Sequence, residues 1–369
     1  MAQQDIEYPF EEIDSIETLL NAKQYEEGLK LLNTLLEKKT DISTACLLKA
    51  ETLWDLDKKR QAYEWYKKTI NLAPKWHRAY RLYGYSLIHD GYKQEAYNLY
   101  TQGIIQMPQN AEIYFERGSA AEFLENYEQA MQDFNQAISV EKKQPKPNPF
   151  RLTHYYYRRS RLWLKQKNYE QTLLDLNAMI QVNPNNHDNY NTRASFYINN
   201  FEDYAKALPD YEKALVLASK PFDIKRYKNR IKDCKEEIAY SHYKTGDSLF
   251  DQKKYAESIE WAHKALALAP AGGQAANWAQ ELLNLATQKL NAQQQLDSLR
   301  REVTTMYAQG MKLIKNNQYP EGLKILAQVQ ALHKQNISAL EPLRYMLEEI
   351  FQQKAKWKKI QNAKYLKEV

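Results

Sequence analysis

The chain has 369 residues, 43% hydrophobic and 27% charged, with ten glycines, twelve prolines and two cysteines. So few glycines and prolines argue against a turn-rich β protein, and Cys46 and Cys234 stand too far apart for a disulfide framework or a paired-cysteine metal site. Lys+Arg 52 against Asp+Glu 46 leaves +6, a mixed surface that is weak evidence for a polyanionic partner.

Residues 5–17 carry Asp5, Glu7, Glu11, Glu12, Asp14 and Glu17 without a base. The opening "MAQQDIEYPFEEID" has neither the basic flank nor the apolar run of a signal peptide. No uncharged apolar stretch reaches membrane-spanning length, so a soluble, cytoplasmic protein with no membrane contact is expected.

A period then takes over. Pro74 and Pro108 lie 34 residues apart, as do Gly84 and Gly118. Ala62, Ala96 and Ala130 keep the same spacing, as do Tyr66, Tyr100 and Phe134, and Gly28 extends the alanine series backwards. In 77–108, "HRAYRLYGYSLIHDGYKQEAYNLYTQGIIQMP", the set Tyr80, Tyr83, Leu87 and Ile88 predicts one helix. A turn follows at Asp90-Gly91, and Ala96, Tyr100 and Ile104 predict a second helix that the proline ends. Small residues sit where the two helices must approach, with aromatics beside them. A lone pair of this kind cannot bury its apolar face, so the pairs must stack.

This small–aromatic–proline pattern resembles the tetratricopeptide repeat (TPR) family. The resemblance implies an all-α, right-handed α-solenoid superhelix of stacked antiparallel helix pairs. An N-terminal block over 1–144 would hold repeats at about 9–42, 43–76, 77–110 and 111–144. An insertion, "KKQPKPNP" from Lys142 to Pro149, follows it, and a proline-rich loop is expected over 145–152. A central block over 153–272 would hold repeats 153–186, 187–220 and 239–272, with an extra helix at 221–238. A long non-repeat helix at 273–302, a degenerate repeat at 303–336 and a capping helix with a basic tail at 337–369 complete the reading. That tail carries Lys354, Lys356, Lys358, Lys359, Lys364 and Lys367.

Two patterns run through the first helices. Arg117, Arg159 and Arg193 align with one another, and each is followed 16 or 17 residues later by an aspartate: Asp133, Asp175 and Asp210. Repeats without the arginine lack the aspartate; Lys49 faces Trp65, and Tyr83 faces Leu99. Three Arg–Asp pairs between first and second helices are therefore predicted. The other pattern is a stripe that lines the concave surface in the family the chain resembles. It comprises Arg78, Arg81, Tyr85 and His89; Phe115, Ser119 and Phe123; His154, Tyr157, Arg161 and Lys165; Asn191 and Asn199; and Tyr240 and Tyr243. Rings that cover apolar side chains, interleaved with arginine and amides, suit an extended peptide.

The same residues could stack bases, so an RNA-associated adaptor using this groove or the basic tail is the alternative. Glu112, Glu122, Asp188, Asp247 and Asp251 interrupt the stripe, however, and a phosphate track should not be broken so often. Nucleic acid is thus disfavoured as a partner. The carboxylate clamp known in the family is also a poor match, because Tyr85 and Glu116 stand where amides belong and Glu116 would repel an acid.

The 7 histidines are scattered, with no metal-spaced pair, and there is no glycine-rich lysine loop or nucleophile elbow. No enzyme, metal or cofactor is expected. The sequence reads as a scaffold for a protein or peptide partner. A secretion chaperone, an assembly factor, a peptide sensor and a toxin-neutralising partner all fit the residues equally.

Overall fold

The computed structural model describes residues 10–368, and every regular element among them is helical. Hairpins follow one another along the chain. α1 (Phe10–Asn21) and α2 (Tyr25–Lys38) form the first, and α3 (Ser43–Asp55) and α4 (Lys59–Leu72) the second. Then come α5 (His77–His89) with α6 (Lys93–Gln106), α7 (Ala111–Phe123) with α8 (Tyr127–Lys142), and α9 (Pro149–Lys165) with α10 (Tyr169–Val182). α11 (His187–Phe201) pairs with α12 (Tyr204–Leu217), α13 (Pro221–Asp251) with α14 (Tyr255–Leu268), and α15 (Gln274–Lys315) with α16 (Tyr319–Gln335). A short α17 (Ile337–Leu340), one 3-10 turn and α18 (Tyr345–Glu368) end the described chain. The chain forms two compact units that divide inside α13, one reaching Lys228 and one beginning at Asn229.

The same backbone device turns every hairpin. One residue between the two helices adopts a left-handed φ: Lys23, Asp57, Gly91, Glu125, Lys167, Glu202, Lys253 and Asn317, with φ between 53° and 90°. These residues sit at one repeat position, shifted by one at Glu202 where the chain carries an extra residue. Only Gly91 adopts this conformation without a side-chain penalty. Asparagine or aspartate then starts many of the helices. Asn110, Asn126, Asn148, Asn168, Asn186 and Asp203 each accept backbone N–H groups that would otherwise lack partners.

Large side chains lock the helices of a pair together across small ones. In unit 1, Tyr66, Tyr80, Tyr100, Phe134 and Tyr211 are almost fully buried, and Ala62, Ala96 and Ala130 are completely so. Tyr66 stacks on Tyr83 at 5.2 Å. Each such ring contributes about 2 kcal/mol through burial alone. In unit 2, Val303, Leu326, Val329, Leu340 and Ile350 form the core where α18 covers α16.

The three Arg–Asp pairs are present, and each is bidentate. Arg117 reaches Asp133 at 2.9 and 2.6 Å, Arg159 reaches Asp175 at 2.9 and 2.5 Å, and Arg193 reaches Asp210 at 2.8 and 2.6 Å. Two of the guanidinium groups do more. Arg159 also donates to Asn135 on α8, and Arg193 to Asn177 on α10, both at 2.6 Å, so each ties its own hairpin to the preceding one. Where the pair is absent, Lys49 lies over the Trp65 ring at 3.8 Å.

Several expected boundaries move. The extra helix at 221–238 and the first helix of the next repeat are one helix, α13. The segment 273–302 and the first helix of 303–336 are likewise fused in α15. At neither junction, near 239 and near 303, does a glycine or proline interrupt the helical pattern. The proline-rich loop is shorter than 145–152, because Pro149 occupies the first turn of α9, where it needs no N–H donor, and Asn148 caps it. Pro209 lies inside α12. The acidic residues Asp5 and Glu7 and the Lys367 side chain lie outside what the structure describes.

Candidate functional site

The first helices of unit 1 present the predicted stripe, and their neighbours decide which residues stay open. Tyr85 is 60% exposed and Phe123 48% exposed. Arg78, Arg81, His89, His154, Arg161, Lys165 and Asn199 are also exposed, while Tyr157 and Asn191 are half-buried. Two assignments are corrected. Phe115 is buried between Phe134 at 5.5 Å, Tyr155 at 4.9 Å and His154 at 4.6 Å. Ser119 is buried too and donates to the Phe115 carbonyl at 2.9 Å. Phe115 belongs to the core because α8 and α9 cover it.

In unit 1, acids along the stripe are met by bases of neighbouring hairpins. Arg78 lies 3.6 Å from Glu51, His77 and Arg151 lie 3.0 and 2.8 Å from Glu112, and Arg158 lies 2.6 Å from Glu122. Arg81 and Arg161 have no ion-pair partner among the described residues, and Lys165 donates only to the Tyr127 hydroxyl. The stripe of unit 1 therefore keeps free cations beside exposed rings. Glu116 lies among them, its carboxyl pushed up to about 7 by burial, with His77, Arg81 and Arg158 opposing the shift. At neutral pH it carries only part of a charge, so it opposes an incoming acid less than a solvated glutamate would.

Two family models, each described as tetratricopeptide repeat, match the chain, one at residues 43–75 and 111–144 and the other at 200–273. The chain carries tetratricopeptide repeats. No curated protein matches it significantly. Solved TPR structures resemble it at low identity. One is the C-terminal part of a TPR repeat-containing protein from Cytophaga hutchinsonii, with 20% identity, 72% of this chain and 98% of that chain covered, and a TM-score of 0.47. Another is a tetratricopeptide repeat protein from Parabacteroides merdae, with 18% identity, 75% and 98% coverage, and a TM-score of 0.43. TPR repeats in general mediate protein–protein interactions. No helix among the described residues of this TPR chain is long and apolar enough to cross a membrane.

One cluster at the edge of the stripe was not foreseen. Asp90 accepts from Lys59 Nζ at 2.6 Å, Trp54 Nε1 at 3.3 Å and the Tyr63 hydroxyl, and lies 3.3 Å from His89 Nδ1. His89 and Tyr85 meet the Trp54 ring edge-on at 5.1 and 6.2 Å. The signal was available: Asp90 takes the repeat position that Leu56 and Leu124 hold elsewhere.

Burial alone would raise the Asp90 carboxyl, but the donors from Lys59, Tyr63, His89 and Trp54 outweigh it and hold the group at about 2, against 3.8 ordinarily. A carboxyl lowered on folding stabilises the fold above its ordinary value and loses that contribution as pH falls toward the folded value. Unfolding followed by circular dichroism should therefore show wild type losing stability between about pH 4 and pH 2. Asp90→Asn should be less stable at pH 7 and lose less stability than wild type across that interval; equal slopes would refute the assignment.

Proposed function

We propose that this TPR protein is a non-enzymatic scaffold that holds a protein partner, as a peptide segment, in the concave groove lined by the first helices of its repeats. The observation that carries the reading is the combination of exposed Tyr85, Phe123, Arg81 and Arg161 with a backbone held rigid beneath them. Tyrosine and arginine are the residues that dominate binding energy when a partner covers them. Helices already fixed by interlocked rings and bidentate ion pairs lose little freedom on binding. Acids paired at every second hairpin break any continuous track for phosphates, which favours protein over nucleic acid.

The test is affinity capture of partners by the tagged chain from its native cell, with and without nuclease, beside a Tyr85→Ala/Arg161→Glu variant. Proteins retained after nuclease and weakened about tenfold or more in the variant support the groove. Material released by nuclease would replace the reading with RNA binding. Partners held equally by both proteins would move the interface elsewhere on the chain.

A further inference from the structure

The stripe changes character in unit 2. Tyr240 and Tyr243 on α13 stack on each other at 6.1 Å, and Trp278 of α15 joins them at 5.4 and 5.7 Å. All three rings are half-buried. The same face continues with Asp247 and Asp251 along α13, at helical spacing from Tyr243, and with Glu281 and Leu285 along α15 after Trp278. Leu285 is 50% exposed. None of the three acids is in an ion pair among the described residues. The local cation is Lys244, 5.5 Å from the Tyr240 ring, which already uses one ring face. The Tyr243 hydroxyl is held above its usual range, by burial first and then by Asp247 and Glu281, as expected where both carboxylates lie close to that ring.

We infer that this aromatic shelf with its free acids binds a short basic segment of a protein partner, with arginine preferred over lysine. The inference rests on reading the first-helix stripe as the binding face. Charge complementarity selects the occupant: unpaired carboxylates flank rings whose faces attract cations. A guanidinium lies flat on such rings while its edge forks to a carboxylate, which an ammonium cannot do. From Tyr240 to Asp251 the face runs about 16 Å along α13, the reach of roughly five extended residues. Unit 1 offers the opposite chemistry, with Arg81 and Arg161 outside any ion pair among the described residues and Lys165 on Tyr127.

The experiment titrates the full chain against three fluorescein-labelled twelve-residue peptides, alternating alanine with arginine, lysine or glutamate, and reads fluorescence anisotropy. The arginine peptide should bind most tightly and the glutamate peptide not at this site. Tyr243→Ala/Trp278→Ala should weaken the arginine peptide about tenfold and erase its advantage over lysine. Tyr243→Phe, which keeps the ring, should retain binding, and this guards against misfolding of the alanine variant. Asp247→Asn/Glu281→Gln should weaken both basic peptides, and Arg81→Glu/Arg161→Glu should weaken neither.

Arginine binding indifferent to the shelf variants, no binding by the basic peptides, or tighter binding of glutamate there would each overturn the inference. Self-association of the peptide-free chain that Tyr243→Ala abolishes, seen by sedimentation, would overturn it in favour of a second copy's lysine-rich α18. The capture experiment on unit 1 stands apart from these outcomes. It can succeed while the shelf fails, or fail while the shelf succeeds.

Discussion

Arg159→Leu is expected to lower the free energy of unfolding by about 3 kcal/mol, the low end for breaking a buried ion pair. Asp175 keeps only 3% of its side chain exposed and would lose both halves of its fork, and Asn135 would lose its donor as well. The low end applies because Arg159 itself retains 21% exposure, through which water can partly replace the lost contact. Burial already pushes the Asp175 carboxyl above its ordinary value even with the guanidinium in place. A carboxyl raised on folding favours the native state in acid and disfavours it as pH climbs through the folded value. The deficit of the variant should therefore shrink toward pH 4 and grow toward pH 7. Arg159→Leu/Asp175→Leu, which removes both charges, should recover most of the loss. Because helical arrays unravel piecewise, urea titration should be read together with amide exchange in α9 and α10. A double variant as unstable as the single one would show that the pair is not what stabilises this hairpin.

The second large effect is at Gly84. A Cβ there would lie 2.2 Å from the ring carbon and hydroxyl of Tyr100, which is 1% exposed and has nowhere to retreat. Overpacking of a rigid core costs up to about 3 kcal/mol, sometimes more, while exchanging a helical glycine for alanine returns about 1. The clash wins, and Gly84→Ala should destabilise by about 2 kcal/mol. Tyr100→Leu in the same chain should relieve the clash and make the alanine cheaper, which a double-mutant cycle in urea would measure. Additive losses would mean that the two helices do not meet here as described.

These contacts explain why so much of the fold was legible in the sequence. The 34-residue spacing of glycine, alanine and tyrosine records one contact repeated, and the Arg–Asp covariation records another. Both lie within a hairpin, so local spacing suffices. Phe115 was not legible as core because its exposure depends on what α9 brings from the next hairpin, His154 and Tyr155 above all. Trp278 was missed because its segment was set outside the repeat, whereas α15 joins that segment and the first helix of the last hairpin in one rod. The Asp90 cluster draws on three helices and the turn, and only the departure from leucine at that position marked it.

That rod has a mechanical consequence. Between Ala286 and Leu299 no residue of α15 is buried, so about 18 Å of helix is held mainly by its own hydrogen bonds before Leu299 packs on the core and Arg300 donates to the Ala339 carbonyl. Its ends are clamped, one by α14 and the other by α16. Such a span behaves as an elastic strut. It resists stretching until the first turn opens, and then it lengthens abruptly, so tension applied to the last hairpin would be absorbed there before any packed core yields.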